Sequence, residues 1–224
     1  MRPSLCLRFD DRTILVDTSP DLREQCLRFG VERVDAILFT HGHADHIFGL
    51  DDIRPFSFRQ DAPIPCYGTA ETLERVRRAF DYAFDGVPSE GGGKPRLTTH
   101  VIGETFELFG RGIEAINVWH GSLPVTAYRL DRFAYVTDTH HVPDEAIRRL
   151  AGVDTLILDA LGYEPHPTHL SVEEAIEVAD RIGARRTWFT HMNHQIDYHA
   201  PRVDLPDGVG FAYDGLTFEV TTHV

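Results

Sequence analysis

The sequence lacks the patterns that define several large classes of protein. Its three cysteines, Cys6, Cys26 and Cys66, form no CxxC pair, which argues against a disulfide framework or a cysteine zinc knuckle. No apolar run approaches the roughly 18 residues needed to cross a bilayer, and charges interrupt the N-terminal apolar residues where a signal peptide would be continuous. We therefore expect a cytoplasmic protein with no membrane partner, whose cysteines are small buried residues.

Basic residues are also scarce. The chain has 22 lysines and arginines against 35 aspartates and glutamates, for a net charge of −13. This balance argues against stable nucleic-acid binding, which needs a basic surface, and no long basic insertion is present to clamp an RNA arm. A small phosphorylated substrate remains compatible with the charge, because bound divalent cations reverse the local field.

The chain is long enough for one domain of ordinary to large size. Its 224 residues, 42% of them hydrophobic, predict a single domain over 1–224 with a substantial core. Buried strands are expected over 13–19, 34–40, 153–161 and 185–191, helices over 69–84, 143–152 and 171–183, a glycine-rich loop over 85–96 and a hairpin over 209–220. This mixture favours a layered α/β architecture with more than one sheet.

Histidine is abundant, with 13 residues, and its most concentrated use is the segment THGHADH at 40–46. Directly after a predicted strand it supplies His41, His43, Asp45 and His46. Imidazole and carboxylate are the ligands that zinc, manganese and iron accept in proteins. The segment as a unit therefore predicts a metal site, although any one of its histidines alone is better read as an ordinary polar residue.

Three further polar residues follow predicted strands in the same way. His120 follows IEAINVW, Asp138 follows FAYVT and His191 follows RRTWFT. Loops at the carboxyl ends of strands in layered α/β folds line a shared crevice, so these segments are expected to converge. Seven groups are too many for one tetrahedral ion and indicate two ions, zinc or manganese, with an aspartate such as Asp138 bridging them.

These motifs, in this order and spacing, resemble the metallo-β-lactamase-fold hydrolases. The resemblance runs from TILVDTSPDLREQ to YDGLTFEV and is closest to the branch containing phosphoribosyl cyclic phosphate phosphodiesterase, through GLDDIRPF, EPHPTHLSVEEA and THMNHQIDY. It implies an αββα sandwich, with two mixed β-sheets packed face to face and helices on both outer sides. The metal ligands that it implies are His41, His43, His120 and Asp138 for one ion, and Asp45, His46, His191 and the bridging Asp138 for the other.

The chain departs from this branch at two places. The branch usually begins with a strand and a cysteine cluster that can hold a structural zinc, and both are expected to be absent here, which leaves His194 as a surface or supporting residue. Relatives often carry arginine where this chain has Gly162, and its loss would weaken a contact to a substrate phosphate.

The site predicts a dinuclear metal-dependent hydrolase, most simply a phosphodiesterase acting on a small cyclic or nucleotide-like phosphate ester. The nucleophile would be a metal-bridging hydroxide. Asp45 and His169 are the predicted catalytic residues, Asp45 because the second ion depends on it and His169 as the proton donor to the leaving group. His166 and Arg54 are candidate substrate contacts.

Two other functions stay open at this stage. The same metal site could hydrolyse an ester or lactone, or the chain could be a non-hydrolytic metal-binding protein related to the quinone-cofactor biosynthesis branch. A homodimer is a further expectation, because a missing leader would expose an edge strand that a second copy could cover.

Overall fold

The structure, a computed structural model, describes residues 1–87 and 93–220. It divides into two compact units, Met1–Gly103 and Glu104–Val224. Residues 88–92 of the predicted glycine-rich loop lie outside the described residues. Within the described ranges, no helix combines the length and the apolar character needed to span a membrane.

The first unit is built on a five-stranded mixed sheet. Its strands, in the order in which they pair, are β1 (Leu5–Phe9), β2 (Arg12–Val16), β3 (Ala36–Leu38), β4 (Ile64–Gly68) and β5 (Leu97–Val101). Strands β1 and β2 form an antiparallel pair, whereas β2 through β5 are parallel. Parallel strands end at one edge of a sheet, so the segments that follow β2 and β3 start side by side.

Short helices cover the sheet of the first unit. They are α1 (Leu22–Arg28), α2 (Ala44–Ile47), α3 (Arg54–Arg59), α4 (Ala70–Ala79) and α5 (Asp81–Phe84), with a 3₁₀ turn at Leu50–Ile53. The core forms where β3 meets these helices, and Ile37, Phe39, Leu50 and Leu73 are fully buried there. Cys26 and Cys66 belong to the same core, as the sequence predicts, and burial raises the pKa of both thiols to about 12. Cys6 is only half-buried, so the prediction holds for two of the three cysteines.

The helix predicted over 69–84 is interrupted. The chain leaves helical geometry at Phe80, with φ −127° and ψ 43°, and a new turn begins when the Ala83 amide donates to the Phe80 carbonyl. Phe80 is only 8% exposed, and the local amphipathic pattern continues through it. The prediction of one helix was therefore wrong because burial of the Phe80 ring, a tertiary effect, sets the backbone there.

The second unit contains a seven-stranded mixed sheet. Its strands, again in pairing order, are β12 (Val209–Phe211), β11 (Arg186–Thr190), β10 (Thr155–Asp159), β9 (Phe133–Val136), β8 (Leu123–Leu130), β7 (Arg111–His120) and β6 (Thr105–Leu108). Strands β9 to β12 are parallel, and β6 to β9 alternate in direction. Since β7 and β9 are both antiparallel to β8, the ends of β7, β9, β10 and β11 lie at the same edge.

Two helices pack on this sheet, α6 (Asp144–Leu150) and α7 (Val172–Ile182). The predicted start of α7 is confirmed: Ser171 accepts from the Glu174 amide and the Glu174 carboxylate accepts from the Ser171 amide, a reciprocal capping box. Gly183 ends the helix in the left-handed conformation, φ 73°. Apolar residues of α6, α7 and the parallel strands form one core, with Leu150, Leu158 and Ala175 fully buried.

The prediction of a hairpin over 209–220 was wrong. β12 pairs in parallel with β11, and after the Asp214–Gly215 turn residues 216–220 form no strand. Residues 216–220 contact the side chain of Arg186 instead of pairing with β12. The Arg186 guanidinium donates to the Glu219 carbonyl and lies over the Phe218 ring. A long-range side-chain contact therefore replaces the backbone pairing that the turn residues suggested.

A buried carboxylate ties β2 to β3 in the first unit. The Asp35 side chain accepts from the Thr13 amide at 2.9 Å, from Arg12 Nη1 at 3.1 Å and from Arg33 Nε at 2.8 Å. Burial by itself would raise the pKa of Asp35, but the hydrogen bonds from Arg33, Thr13 and Arg12 outweigh it and the pKa is lowered. Its stabilising effect is therefore present above the unfolded-state pKa, about 4, and is lost as the pH falls through the folded-state value.

We expect Asp35→Asn to lower the free energy of unfolding at neutral pH by about 1–2 kcal/mol, since an ionised acceptor is removed from the buried Thr13 amide and from two arginines that are about half exposed and partly screened by solvent. The difference from wild type should begin to shrink below about pH 4 and disappear as the pH falls through the lowered folded-state pKa, where the folded wild-type carboxylate is also protonated. Urea unfolding across the pH range measures both. Asp61→Asn is the matched control, because its 95% exposed carboxylate pairs with Arg96 at 3.2 Å and should contribute less than about 1 kcal/mol. A pH-independent loss at Asp35 would contradict this account.

Candidate metal centre

The turn that follows β3 gathers three imidazoles. The rings of His41 and His43 are 4.6 Å apart and those of His41 and His46 are 4.3 Å apart. His41 and His46 are buried, whereas His43 and Asp45 are half-buried. The Asp45 carboxylate is 3.8 Å from His46 Nε2, so a half-buried carboxylate oxygen and a buried ring nitrogen lie near one another.

Asp17, which the sequence analysis did not single out, organises this cluster. It follows β2 and is fully buried, and its carboxylate accepts from the Thr40 amide at 2.8 Å, the Thr40 hydroxyl at 2.7 Å and His46 Nδ1 at 2.7 Å. The Thr40 hydroxyl, having donated to Asp17, accepts from His41 Nδ1 at 3.0 Å. Both histidines therefore carry a proton on Nδ1 and a lone pair on Nε2, the tautomer that a metal-binding histidine needs.

Gly42 and Gly49 allow the histidine-containing turn after β3 to pack closely against its neighbours in the first unit. A Cβ on Gly42 would lie 2.6 Å from Arg75 Cδ, and a Cβ on Gly49 would lie 2.0 Å from the Ser19 carbonyl oxygen. The second contact is with backbone, which cannot move aside easily. The absence of a side chain at Gly49 lets the segment after α2 rest against the segment after β2, where the Gly49 amide donates to the Thr18 carbonyl.

A second cluster lies in the second unit, at the ends of β9, β10 and β11. Donor atoms of Asp138, Asp159, His169 and His191 all lie within 4.8 Å of one another. His191 Nε2 is 2.9 Å from an Asp138 oxygen. The His169 ring is central, 4.6 Å from the His120 ring and 4.9 Å from the His191 ring, with which it stacks.

Asp159, also missed by the sequence analysis, holds this second cluster together. It is fully buried at the end of β10 and accepts from the Asp138 amide at 3.1 Å, the Leu170 amide at 3.1 Å and His169 Nδ1 at 3.3 Å. Burial raises its pKa, against the opposing effect of His169 and His191. The sequence did contain a signal for both missed aspartates, because each directly ends or follows a buried strand as Asp138 does.

Strained backbone marks three residues of the two clusters. Asp17 has φ 63°, Asp138 has φ 48° and His191 has φ 61°. Positive φ is uncommon outside glycine, and aspartate and histidine are among the residues that adopt it most readily. Asp17 and His191 directly follow a parallel strand, and Asp138 lies one residue further from the end of its strand. The left-handed conformation turns the chain at each of these residues, so the side chain leaves the direction of the strand.

Three other residues singled out in the sequence, Arg54, His166 and His194, are at least partly exposed and lie outside the two clusters. Arg54 Nη1 donates to the Gly93 carbonyl and lies 4.0 Å from an Asp51 oxygen, a long-range ion pair. His166 is exposed, 5.2 Å from the His169 ring, and its Nδ1 interacts with the amide and hydroxyl of Thr168. His194 is exposed.

The structure explains why a glycine, rather than a larger residue, occupies position 162. A Cβ there would lie 2.7 Å from Asn193 Nδ2. The Asn193 amide donates to the Leu161 carbonyl at 2.7 Å, and its side-chain oxygen accepts from the Gln195 amide at 2.8 Å. The Asn193 side chain therefore occupies the space in which a larger residue at 162 would begin, and an arginine there would require that side chain to shift.

The two donor sets fit divalent metal ions of the zinc and manganese type. Each combines imidazole nitrogens with at least one carboxylate and no thiolate, which suits zinc, manganese or iron. Each also has a buried aspartate beside its histidines: Asp17 accepts from His46, as carboxylates behind metal-binding histidines typically do, and Asp159 accepts from His169 and lies 3.7 Å from His191 Nδ1. A set of separately satisfied core histidines would not need this clustering of ring nitrogens.

A sequence profile described as "Beta-lactamase superfamily domain" matches residues 12–192. The chain therefore belongs to the β-lactamase superfamily. The predicted metallo-β-lactamase family and the α/β fold class with two mixed sheets are both confirmed.

Three individual relatives illustrate the range of the family. The octanoyltransferase of Porphyromonas gingivalis is 31% identical over 218 residues, which cover 96% of this chain but 44% of that protein; the chain thus spans less than half of that relative. A crystal structure of a new diphosphatase from the PhnP family has a TM-score of 0.90 and 38% identity, covering 98% of this chain and 85% of that one. Zinc-bound PqqB from Methylobacterium extorquens, at 23% identity and a TM-score of 0.73 over 97% of this chain and 87% of that one, shows the shared fold.

We expect Asp17→Asn to weaken metal binding by roughly 10- to 100-fold, the usual effect of removing a carboxylate that supports a ligating histidine. The amide cannot accept from all three donors, so the tautomers of His41 and His46 are no longer fixed. A competition titration against a chromogenic zinc chelator measures the affinity. Asp11→Asn, at an exposed position before β2, is the control and should bind zinc as wild type does. Unchanged affinity in Asp17→Asn would show that Asp17 does not set the ligand tautomers.

Proposed function

We propose that the protein is a dinuclear metal-dependent hydrolase that cleaves a P–O bond in a small phosphorylated substrate. The observation that carries the proposal is the presence of two strand-end clusters, each with imidazole and carboxylate donors and each supported by its own buried aspartate. The two clusters, at the ends of parallel strands in both sheets, together contain the seven donor residues of the proposed ligand set. Seven donors are too many for one tetrahedral ion and suit two ions.

The proposed ligand assignment follows the resemblance. One ion would be held by His41, His43, His120 and Asp138, and the other by Asp45, His46, His191 and Asp138 as the bridge. The assignment draws on both units, so it is part of the proposal that residues 1–224 act as one domain. When bound, two divalent ions lower the pKa of a water and neutralise negative charge on a phosphoryl group.

His169 is the proposed proton donor to the leaving oxygen. Asp159 accepts from its Nδ1, which leaves Nε2 as the nitrogen that exchanges a proton with the substrate. The ring lies beside two proposed ligands, His120 and His191, so it stands next to the reacting atoms. The position of His169 thus fits delivery of a proton better than a role in helix structure.

His166 is proposed to contact the substrate phosphate. Thr168 lies at its Nδ1, with the backbone amide directed to that nitrogen, so the ring proton is on Nε2 and can be donated outward. The ring is exposed and 5.2 Å from His169. An exposed donor beside a proton-transferring histidine suits binding of an anion at the mouth of a site.

Two phosphorylated substrates are consistent with this chemistry. The resemblance favours a phosphodiester of a cyclic or nucleotide-like kind, and the similar diphosphatase adds a diphosphate. Attack on phosphorus is common to both. Ester or lactone hydrolysis would use the same ions but gives no role to His166, and a non-hydrolytic metal-binding protein related to quinone-cofactor biosynthesis would need neither His166 nor His169.

We expect the purified protein to bind about two ions per chain and Asp45→Ala to bind about one, with loss of most hydrolysis and retention of the fold. Elemental mass spectrometry counts the ions, and release of p-nitrophenol from bis(p-nitrophenyl) phosphate, with zinc and with manganese, measures turnover. Asp52→Ala, a carboxylate of the following turn outside the proposed ligand set, is the control.

The outcomes of this experiment separate the alternatives. Full activity of Asp45→Ala would disprove the two-ion mechanism. Two ions without turnover of any phosphodiester or diphosphate would favour an ester or lactone substrate. One ion or none in the wild-type protein after reconstitution would favour the non-hydrolytic function.

We expect His169→Asn to reduce kcat roughly 10²- to 10⁴-fold for substrates with an alkoxide leaving group, because general acid catalysis is lost. The loss should be much smaller for bis(p-nitrophenyl) phosphate, whose p-nitrophenolate leaves without a proton. Comparing that ester with a ribose 2′,3′-cyclic phosphate tests this dependence. His166→Asn should instead raise KM for both substrates. An equal loss of kcat for both substrates in His169→Asn would argue against its role as the proton donor.

A further inference from the structure

We infer that Phe48 provides a stacking surface for a planar base on the substrate, and that the substrate is a nucleotide-like phosphate ester rather than a bare sugar phosphate. The inference rests on the proposed function, since it names the substrate class of the same site. It begins from an exposed aromatic ring directly beside the metal turn. Phe48 is 57% exposed, although it follows two buried residues, His46 and Ile47.

The position of Phe48 relative to Asp45 is set by the helix. Phe48 caps α2 with helical backbone angles, φ −75° and ψ −4°. Residues three apart on a helix are neighbours on one face, with Cβ atoms about 5–6 Å apart. A phosphate held near Asp45 would therefore place the rest of its molecule within reach of the Phe48 ring.

The Phe48 ring is held in place from one side. It meets the ring of Phe80 edge to face, with centroids 6.2 Å apart and planes at 89°. Phe80 is buried at the turn between α4 and α5, and the centroid of its ring is 6.3 Å from that of Tyr82. Such edge-to-face pairs fix ring orientation as well as adding apolar contact. Phe48 is thus an exposed ring in a defined position, which lowers the entropy cost of stacking a ligand on it.

A cation stands in the same part of the first unit. The Tyr82 hydroxyl donates to Asp51 at 2.7 Å, and the Arg54 guanidinium, 43% exposed, lies 4.0 Å from Asp51. Asp51 therefore links the aromatic group to an arginine. Aromatic rings combined with positive charge are the usual means by which proteins hold a base and its phosphate without reading the base identity.

Phe58 offers a comparison within the same unit. It is even more exposed, 72%, and lies on α3, but among the described residues no aromatic ring contacts it. Phe58 also lies well beyond one helical turn from Asp45. An exposed phenylalanine alone would be an ordinary surface residue; the ring contact and the spacing from Asp45 distinguish Phe48.

The test measures binding of adenosine monophosphate and ribose 5-phosphate, two ligands that differ only by the base. Isothermal titration calorimetry is carried out on the zinc-loaded wild-type protein and on Phe48→Leu, Phe48→Tyr and Phe58→Leu. Wild type should bind adenosine monophosphate more tightly than ribose 5-phosphate. Phe48→Leu should weaken binding of adenosine monophosphate by about 5- to 100-fold and leave ribose 5-phosphate unchanged. Phe48→Tyr should restore the tighter binding, and Phe58→Leu should match wild type.

Each other result overturns the inference. Equal affinity of wild type for the two ligands would show that no base is bound. An equal loss for both ligands in Phe48→Leu, or failure of Phe48→Tyr to restore binding, would indicate that Phe48 only supports the metal turn. If wild type with a full complement of zinc binds neither ligand, the proposed phosphate chemistry fails as well, which separates that failure from loss of the base site alone.

Discussion

The hydrogen bonds of the buried Asp17 carboxylate are the interaction on which the first cluster depends. One side chain accepts from a backbone amide, a hydroxyl and an imidazole, and through Thr40 it also orients His41. A fully buried carboxylate is costly unless its acceptor capacity is used. Here the groups that satisfy it are those that must be oriented for metal binding, so the stability of the unit and the geometry of the site depend on the same contacts.

The second unit repeats this solution with different residues. Asp159 at the end of β10 accepts from two amides and His169, and in doing so joins the loops that follow β9 and β10 at one edge of the sheet. In both units the parallel strands bring the loops together and one buried aspartate sets their fine geometry. The sheets thus supply position, whereas the carboxylates supply orientation, and neither would be sufficient for a metal site.

Much of this arrangement was predictable from the sequence. His41, His43, His46 and the strand-end residues of the second unit stand out because ligand types recur directly after apolar runs. Asp17 and Asp159 stand at strand ends, which was a usable signal, but they were missed because neither belongs to a segment with several ligand-type residues, and their histidine partners lie 10 to 29 residues away. The errors at Phe80 and in residues 209–220 have the same origin. In each case a tertiary contact, burial of a ring or capture by Arg186, overrode a local signal.

The left-handed backbone at Asp17 and Asp138 also shapes how this site can change over evolution. Few residues tolerate that conformation, but asparagine does so as readily as aspartate. An aspartate codon becomes an asparagine codon through one base change, so the backbone can be retained while the charge that serves the proposed metal site is lost. Metal chemistry at these positions is therefore more easily lost in descendants than the fold that carries it, and inactive members of the family should retain the shape of the turn.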